Sequence, residues 1–351
     1  MSQIVSCIFQ LEFHGPLHIA NPRAEYDSSE RVVHSDTLYA AIMSAWAMLD
    51  ASDWITPEPT FALSSLFPYK QKQNGCQYFL PKPVGVFKAN NDQSIRKKIK
   101  KVRYIDLELF AQWAKGFTIE ANADHVAGDF YVSKLDAETE EEKKQEQNKI
   151  RNYISSEVYP RVRVPRMEGK DAEPYYIERI WFAEGCGLYC IFIGTQEDYD
   201  KVKTALNFLQ DEGIGTDRHV GNGLFKLNEA NLPNEFHFNA NDHKYLVNLS
   251  LFCPESVEQL KNLLPQNDNH ISYELVRRGG WITTEPYLTL RKKHVTMFRE
   301  GSVFATTDNL NGPYGGFLVA GKTHKVHPWN DDQLHKIYRS GRAIFVPVKI
   351  D

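Results

Sequence analysis

Apolar and polar residues alternate through IVSCIFQLEF, residues 4–13, placing Cys7, Phe9, Leu11 and Phe13 on one face of a strand and Ser6, Gln10 and Glu12 largely on the other. This is the pattern of a sheet strand covered on one side. After a loop rich in Pro, Asn and Asp the period changes. In SDTLYAAIMSAWAML, residues 35–49, Leu38, Ile42, Ala45, Trp46 and Leu49 recur at helical spacing, and Ser35 or Asp36 stands where an N-cap belongs. A second helix is signalled by DYDKVKTALNFLQDEG, where Val202, Ala205, Leu206 and Leu209 share a face and Gly213 is placed to close the helix. Apolar strands flank it, GLYCIFIG before and GLFKLNE after.

Strand, helix, middle section, strand, helix, strand is the order of a ferredoxin-like βαββαβ sheet with two helices on one face, provided the middle section holds one more strand. FLPKPVGVF, from residue 79, is placed to begin it. A similar opening recurs in KYLVNLSLFCPESVEQLKNLL, where Tyr245, Val247, Leu249 and Leu251 alternate before a short helix capped near Glu255 or Ser256. The expected fold is therefore α+β, with two ferredoxin-like domains over residues 1–235 and 236–351, the second an abbreviated copy. The 150 or so residues between the first two helices are too many for a plain connection. An insertion over about 85–180 is expected, thumb-like in the sense of a projecting segment. It contains the nearly apolar-free LDAETEEEKKQEQNK, which reads as a mobile or helical acidic tip, either a solvated face or an interaction tail.

With 351 residues, 42% apolar and 12% aromatic, the chain has enough material for a core of that size. Its net charge of −4 advertises no global positive field, so any contact with nucleic acid must come from local clusters. The five cysteines are scattered through apolar runs, as reduced thiols in a cytosol would be. Cys186 and Cys190 are four apart, but no second pair follows to complete a zinc site, and no metal or cofactor is expected. The N-terminus has no basic leader and no run of about 18 apolar residues occurs, which points to a soluble cytoplasmic protein without a membrane partner.

Four clusters offer chemistry. GIGTDRHVGNGLF sets Gly213, Gly215, Gly221 and Gly223 around Asp217, Arg218 and His219. It runs from helix to strand and lacks GK[ST], so it is no nucleotide-hydrolase loop. Bare glycines with one arginine suit an extended phosphodiester backbone, and a tight connection with a surface arginine is the alternative. IRKKIKKVR carries Lys97, Lys98, Lys100 and Lys101 around an apolar stripe of Ile95, Ile99 and Val102. RVRVPR directs Arg161 and Arg163 to one side of an extended segment that Pro165 keeps from being a central strand. Further on, Arg277, Arg278, Lys292 and Lys293 gather near Trp281, the cation-plus-aromatic mixture that single-stranded RNA uses for phosphate contact and base stacking. Spread over both halves, these clusters fit one long anion better than a small one. Catalytic candidates are thin: His34, Ser35 and Asp36 adjoin, and so do His324 and His327, but neighbours in sequence do not make a triad.

The motifs FHGPLHI, VHSDTLYAAI, FLPKP, KKIKKVRYI, GIGTDRHVGNGLF, SYELVRRGGWI, EGSVF and GRAIFVPV, in this order from residue 11 to 348, resemble the family of the fourth Csm subunit of type III-A CRISPR complexes, within the RAMP superfamily. The resemblance implies two ferredoxin-like RAMP domains with a thumb-like insertion, and binding of the repeat-derived 5′ handle of the guide RNA (crRNA). It also implies contacts to the large polymerase-like subunit and to backbone subunits, with target RNA met only indirectly. By position, the four glycines, Asp217 and Arg218 match the family's glycine-rich loop, and the cations of KKIKK and RRGGW match stretches expected near RNA. His34, Ser35 and Asp36 match its helix-opening motif. His219 departs from the small hydroxyl residue frequent there. The resemblance implies no reaction by this chain alone. A different class, a metal-independent guide-processing ribonuclease with His34 as general acid or base, and a purely structural adaptor are the competing readings.

Overall fold

The computed structural model describes residues 3–20, 28–73, 75–87, 92–165, 171–238, 243–283, 286–307, 310–331 and 334–350. Arg166 of the RVRVPR run and part of the loop before the first helix fall outside them. The chain opens with β1 (Ile4–Phe13), α1 (Ser35–Met48), β2 (Ala62–Leu63), β3 (Phe67–Lys72) and β4 (Gly75–Pro81). The insertion follows, with α2 (Gln93–Lys101), β5 (Tyr104–Asp106), α3 (Leu107–Ala114), β6 (Val126–Ala127), β7 (Phe130–Tyr131), α4 (Glu140–Arg151), β8 (Ile154–Arg163) and β9 (Glu173–Phe182). Then come β10 (Cys186–Thr195), α5 (Gln196–Glu212) and β11 (Phe225–Ala230).

These strands form one sheet in the order β11-β1-β10-β3-β4-β5-β7-β6, with β2 also on β10. The first four are mutually antiparallel, and α1 packs on α5 over one face. Their apolar stripes, Leu38, Ile42 and Trp46 with Val202, Leu206 and Leu209, share a core with Phe9, Leu11 and Phe192. β1 is covered on its second face as well, which corrects the half-covered reading. Ile8 belongs to another core with Tyr189, Val247 and Val346, and Gln10 is buried, donating to the Tyr78 hydroxyl at 2.7 Å. The second half of the chain is the cover.

The insertion lengthens the sheet through β5, β7 and β6 and projects β8 and β9 as a two-stranded ribbon. The acidic stretch is an exposed helix, α4. Thr139 and Glu142 form a reciprocal capping box at its start, and Ile150 is its one buried residue. Three glutamates in the first turn and basic residues in the last complement the helix dipole.

The second half contains β12 (Tyr245–Asn248), α6 (Val257–Leu263), β13 (Leu275–Arg278), β14 (Val295–Phe298), β15 (Val303–Ala305), β16 (Asn311–Tyr314), β17 (Phe317–Ala320), β18 (Thr323–Lys325), β19 (Tyr338–Ser340) and β20 (Ala343–Val348). Ser256 caps α6, its Oγ accepting from Gln259 N at 3.0 Å. The sheet order is β15-β12-β20-β17-β16, unlike that of the first half, and α6 is the only helix of this half among the described residues. Hairpins β13–β14 and β18–β19 stand outside the sheet.

Phe236 sits where the halves meet, fully buried, with ring centroids 6.3 Å from Tyr78 and 6.0 Å from Phe317. Phe236→Ala should cost about 3–5 kcal/mol. Because one core spans both halves, thermal melting of this variant should show a single, lowered transition. Two separated transitions would show that the halves unfold independently.

Candidate nucleic-acid interface

Helix α5 closes at Gly213 with φ 78°, and the chain enters the left-handed region again at Gly215, Asp217, Gly221 and Gly223. Three of the glycines are needed for the loop to pack on itself and its neighbour. A Cβ on Gly223 would stand 1.9 Å from the Ile214 carbonyl oxygen, one on Gly215 2.4 Å from that of His18, and one on Gly213 2.7 Å from that of Asn222. Gly221 differs, since a Cβ there meets nothing within 4 Å and only its φ of 83° favours glycine. The loop is stitched to FHGPLHI by Thr216 N–H donating to His18 O at 2.9 Å and Gly223 N–H to Pro16 O at 2.8 Å. That segment bridges to β9 through paired Leu17 and Ile180 backbone bonds, both 2.8 Å.

What this scaffold displays outward is a single turn, Arg218–Val220, with Arg218 half-exposed and His219 exposed. Arg218 makes no ion pair among the described residues. Asp217 pairs with Arg161 of β8 at 3.2 Å, so the glycine loop and the ribbon arginine, far apart in sequence, meet. Arg163, two residues on, lies exposed on the same face of β8.

The helix-opening motif is a different kind of site. The N-cap of α1 is His34 and no side chain caps the helix, which corrects the assignment of Ser35 or Asp36 as caps. All three are buried and face the second half of the chain. Asp36 accepts from Arg278 Nε at 3.0 Å and from Arg339, while Arg278 also reaches Glu30 at 3.1 Å and Thr37 at 2.9 Å. Arg278 is 7% exposed, so its guanidinium is committed inside the protein rather than offered to a phosphate. His34 Nδ1 lies 2.8 Å from Glu300, which also accepts from Ser65, and Ser35 Oγ accepts from Leu251 N at 3.0 Å. Burial alone would raise the Asp36 carboxyl, but the charges of Arg278 and Arg339 outweigh it and hold Asp36 well below the usual carboxylate range. Glu300 is likewise lowered against burial by His34 and its hydrogen bonds.

The remaining candidates stand on other elements. Lys97, Lys98, Lys100 and Lys101 are exposed along α2, whose Ile95 and Ile99 are half-buried. Trp281 is 51% exposed, with the Arg291 guanidinium 4.4 Å from its ring centroid. Arg277 and Lys293 are exposed, whereas Lys292 is half-buried and its ammonium is pulled down by burial and by Arg339. Sequence reading passed over Lys82, Arg31, Arg151 and Arg299, isolated in the chain and gathered with the α2 lysines only by the fold.

Residues 241–348 match the family model of the CRISPR Csm4 C-terminal domain. The chain is 28% identical over 319 residues to the CRISPR system protein Csm4 of Thermococcus onnurineus, covering 84% of this chain and 88% of the relative. It is 22% identical over 371 residues to Csm4 of Methanocaldococcus jannaschii, covering 92% of each. In fold it is similar to a chain of the Csm3–Csm4 subcomplex of a type III-A interference complex, with TM-score 0.60, 19% identity and coverage of 98% and 99%. It is also similar to a chain of a Csm1–Csm4 cassette bound to cA4, with TM-score 0.57, 19% identity and 99% coverage of each. Together with the mixed α+β architecture, these matches make the chain similar, over most of its length, to Csm4 proteins of CRISPR systems. That likeness is the one its motifs imply, and it is carried by a domain match in the second half as well as by relatives along most of the chain. No helix among the described residues is long and apolar enough to cross a membrane.

Asp36→Asn keeps the shape but removes the charge that Arg278 and Arg339 share, leaving Arg278 only Glu30 and Arg339 no carboxylate among the described residues, and should cost about 3–5 kcal/mol. The folded carboxyls of Asp36 and Glu300 are lowered, so their contribution to stability is complete above the usual carboxylate range and is lost as pH falls below about 4. Denaturant titrations against pH should therefore show a steeper acid loss in the parent than in Asp36→Asn. Equal slopes would show that Asp36 contributes no pH-linked stability.

Proposed function

We propose that this chain is a non-catalytic guide-RNA-binding subunit of a type III-A Csm complex that holds the 5′ handle of the crRNA and bridges the large polymerase-like subunit to the backbone subunits. The observation that carries the reading is the meeting of the glycine loop with β8. It sets Arg161, with exposed Arg163 two residues along the strand, against Asp217 of the loop, whose next residue is half-exposed Arg218. Peptide groups in left-handed turns and planar guanidinium forks are the groups that bind phosphodiester oxygens. Exposed Trp281, backed by Arg291, supplies a face on which a splayed base stacks. The structures of Csm3–Csm4 and Csm1–Csm4 assemblies support the bridging role.

In this reading residues 1–235 form a ferredoxin-like RAMP domain in which β11-β1-β10-β3 is the βαββαβ sheet, the ribbon β8–β9 is the thumb, and residues 236–351 form a reduced RAMP-like domain. The ribonuclease reading loses its candidate: His34 is 5% exposed and bound to Glu300, out of reach of a strand. The protein acts in the cytoplasm, where its RNA is made, and meets target RNA only through the guide.

If about six phosphates are neutralised, log affinity for guide RNA should fall against log salt with a slope near −4. Arg218→Ala should make that slope shallower by about 0.7 and weaken binding several-fold. Fluorescence anisotropy with labelled repeat RNA over a salt series measures both, and a flat salt dependence in the parent would remove the RNA reading. Cleavage of that RNA by the purified chain in chelator, abolished in His34→Ala, would favour the enzyme.

A further inference from the structure

We propose that a second cationic cleft, between α2 and the turn after β14, takes a further stretch of the same single-stranded RNA, with β8 leading the backbone from the glycine loop to it. The proposal rests on the RNA reading above and adds a site to it.

Two adjoining cavities lie along the insertion. One, of about 490 Å³, is lined by Lys82, Lys100, Lys101, Arg103 and Arg299, and the other, of about 530 Å³, by Arg31, Lys98, Lys101 and Arg151. They share Lys101 and Asp129. Eight lysines and arginines face three carboxylates across the pair, in a chain whose net charge is −4. Each carboxylate is already committed. Asp129 lies 3.1 Å from Arg31 and 3.7 Å from Arg103, Glu274 lies 3.1 Å from Arg299, and Glu300 is bound by His34 and Ser65. Lys98, Lys100 and Lys101 have no ion-pair partner among the described residues. Lys82 is drawn inward, its Nζ donating to Ile99 O at 3.0 Å, and burial lowers its ammonium.

The lysines of α2 by themselves have a simple explanation, since cations in a last helical turn complement the dipole by about 0.3–1 kcal/mol. That does not explain Arg31, Arg151 and Arg299, which arrive on three other segments at the same concavity, or Arg103 just beyond the helix. Uncompensated charge of one sign concentrated in a polar cleft focuses field and favours an anion. The cleft is also joined to the glycine loop by a continuous strand. Ser155 and Ser156, at the start of β8, line the second cavity, and Arg161 on the same strand meets Asp217. Five strand residues cover roughly 17 Å. An extended single strand crosses that distance in a few nucleotides, which selects a polyanion over a small phosphate compound.

The test uses the full chain with fluorescent oligouridylates of about 4 and about 12 nucleotides, within the usual range of single-strand site sizes. In R103Q/R151Q/R299Q, the short oligomer should bind as in the parent through the glycine loop, while the gain from added length is lost. The salt slope for the long oligomer should become shallower by about 2. Unchanged slope and affinity for the long oligomer would overturn the cleft and leave the RNA reading standing, whereas failure of both lengths to bind the parent removes the RNA reading itself. Loss of inorganic triphosphate binding in the variant, with long-oligomer binding intact, would make this a small-anion site and also overturn the proposal. Should the variant not fold, acetylation footprinting of the parent decides: Lys98, Lys100 and Lys101 are protected by the long oligomer and not the short one, and equal reactivity with both counts against the cleft.

Discussion

A carboxylate with almost no access to water survives as an anion only where fixed positive charge surrounds it, and Asp36 is placed that way at the first turn of α1. Its partners Arg278 and Arg339 come from β13 and β19, two hairpins that belong to no large sheet. Glu300, from the turn after β14, meets His34 one residue before the helix. Side chains and main chain repeat the same connection: Ser65 N–H donates to Leu249 O at 2.9 Å, and Ser250 Oγ to Leu63 O at 2.8 Å. The halves are thus held in one register by directional bonds as well as by apolar contact. Any surface built from residues of both halves depends on that register.

The exposed cations gain from this arrangement. Asp36 is taken up by Arg278 and Arg339, and Glu300 by His34 and Ser65, inside the protein, while Asp129 and Glu274 neutralise only part of the cationic cleft. Net charge therefore says little about what this molecule attracts. In the glycine loop, three glycines fold the loop down and leave one turn, carrying Arg218, at the surface.

Periodicity made β1, α1, α5 and their flanking strands legible, because each pairs a long apolar stripe with a clear boundary residue. The second face of β1 was hidden, since Gln10 reads as solvent-facing until Tyr78 is brought opposite it. In the second half the local pattern foretold the β12–α6 opening but not the sheet order, which is decided by which distant strand fills each edge. Among site residues, the glycine loop announced itself by composition. The role of the HSD motif did not: a serine and an aspartate before an apolar run signal a cap, and only long-range partners convert them into an internal ion cluster. Isolated cations such as Arg31 and Arg299 carry no local signal at all.

The ribbon β8–β9 has one further consequence. A lone pair of strands is marginal in water, and this one leaves Val158, Val162, Val164 and Tyr176 between 54% and 74% exposed. Among the described residues its outer hydrogen-bonding edges are open but for Leu17 on Ile180, so a neighbouring polypeptide can add a strand or lay an apolar face there. The same geometry leaves that arm open to pairing between free copies, which a covering partner would prevent.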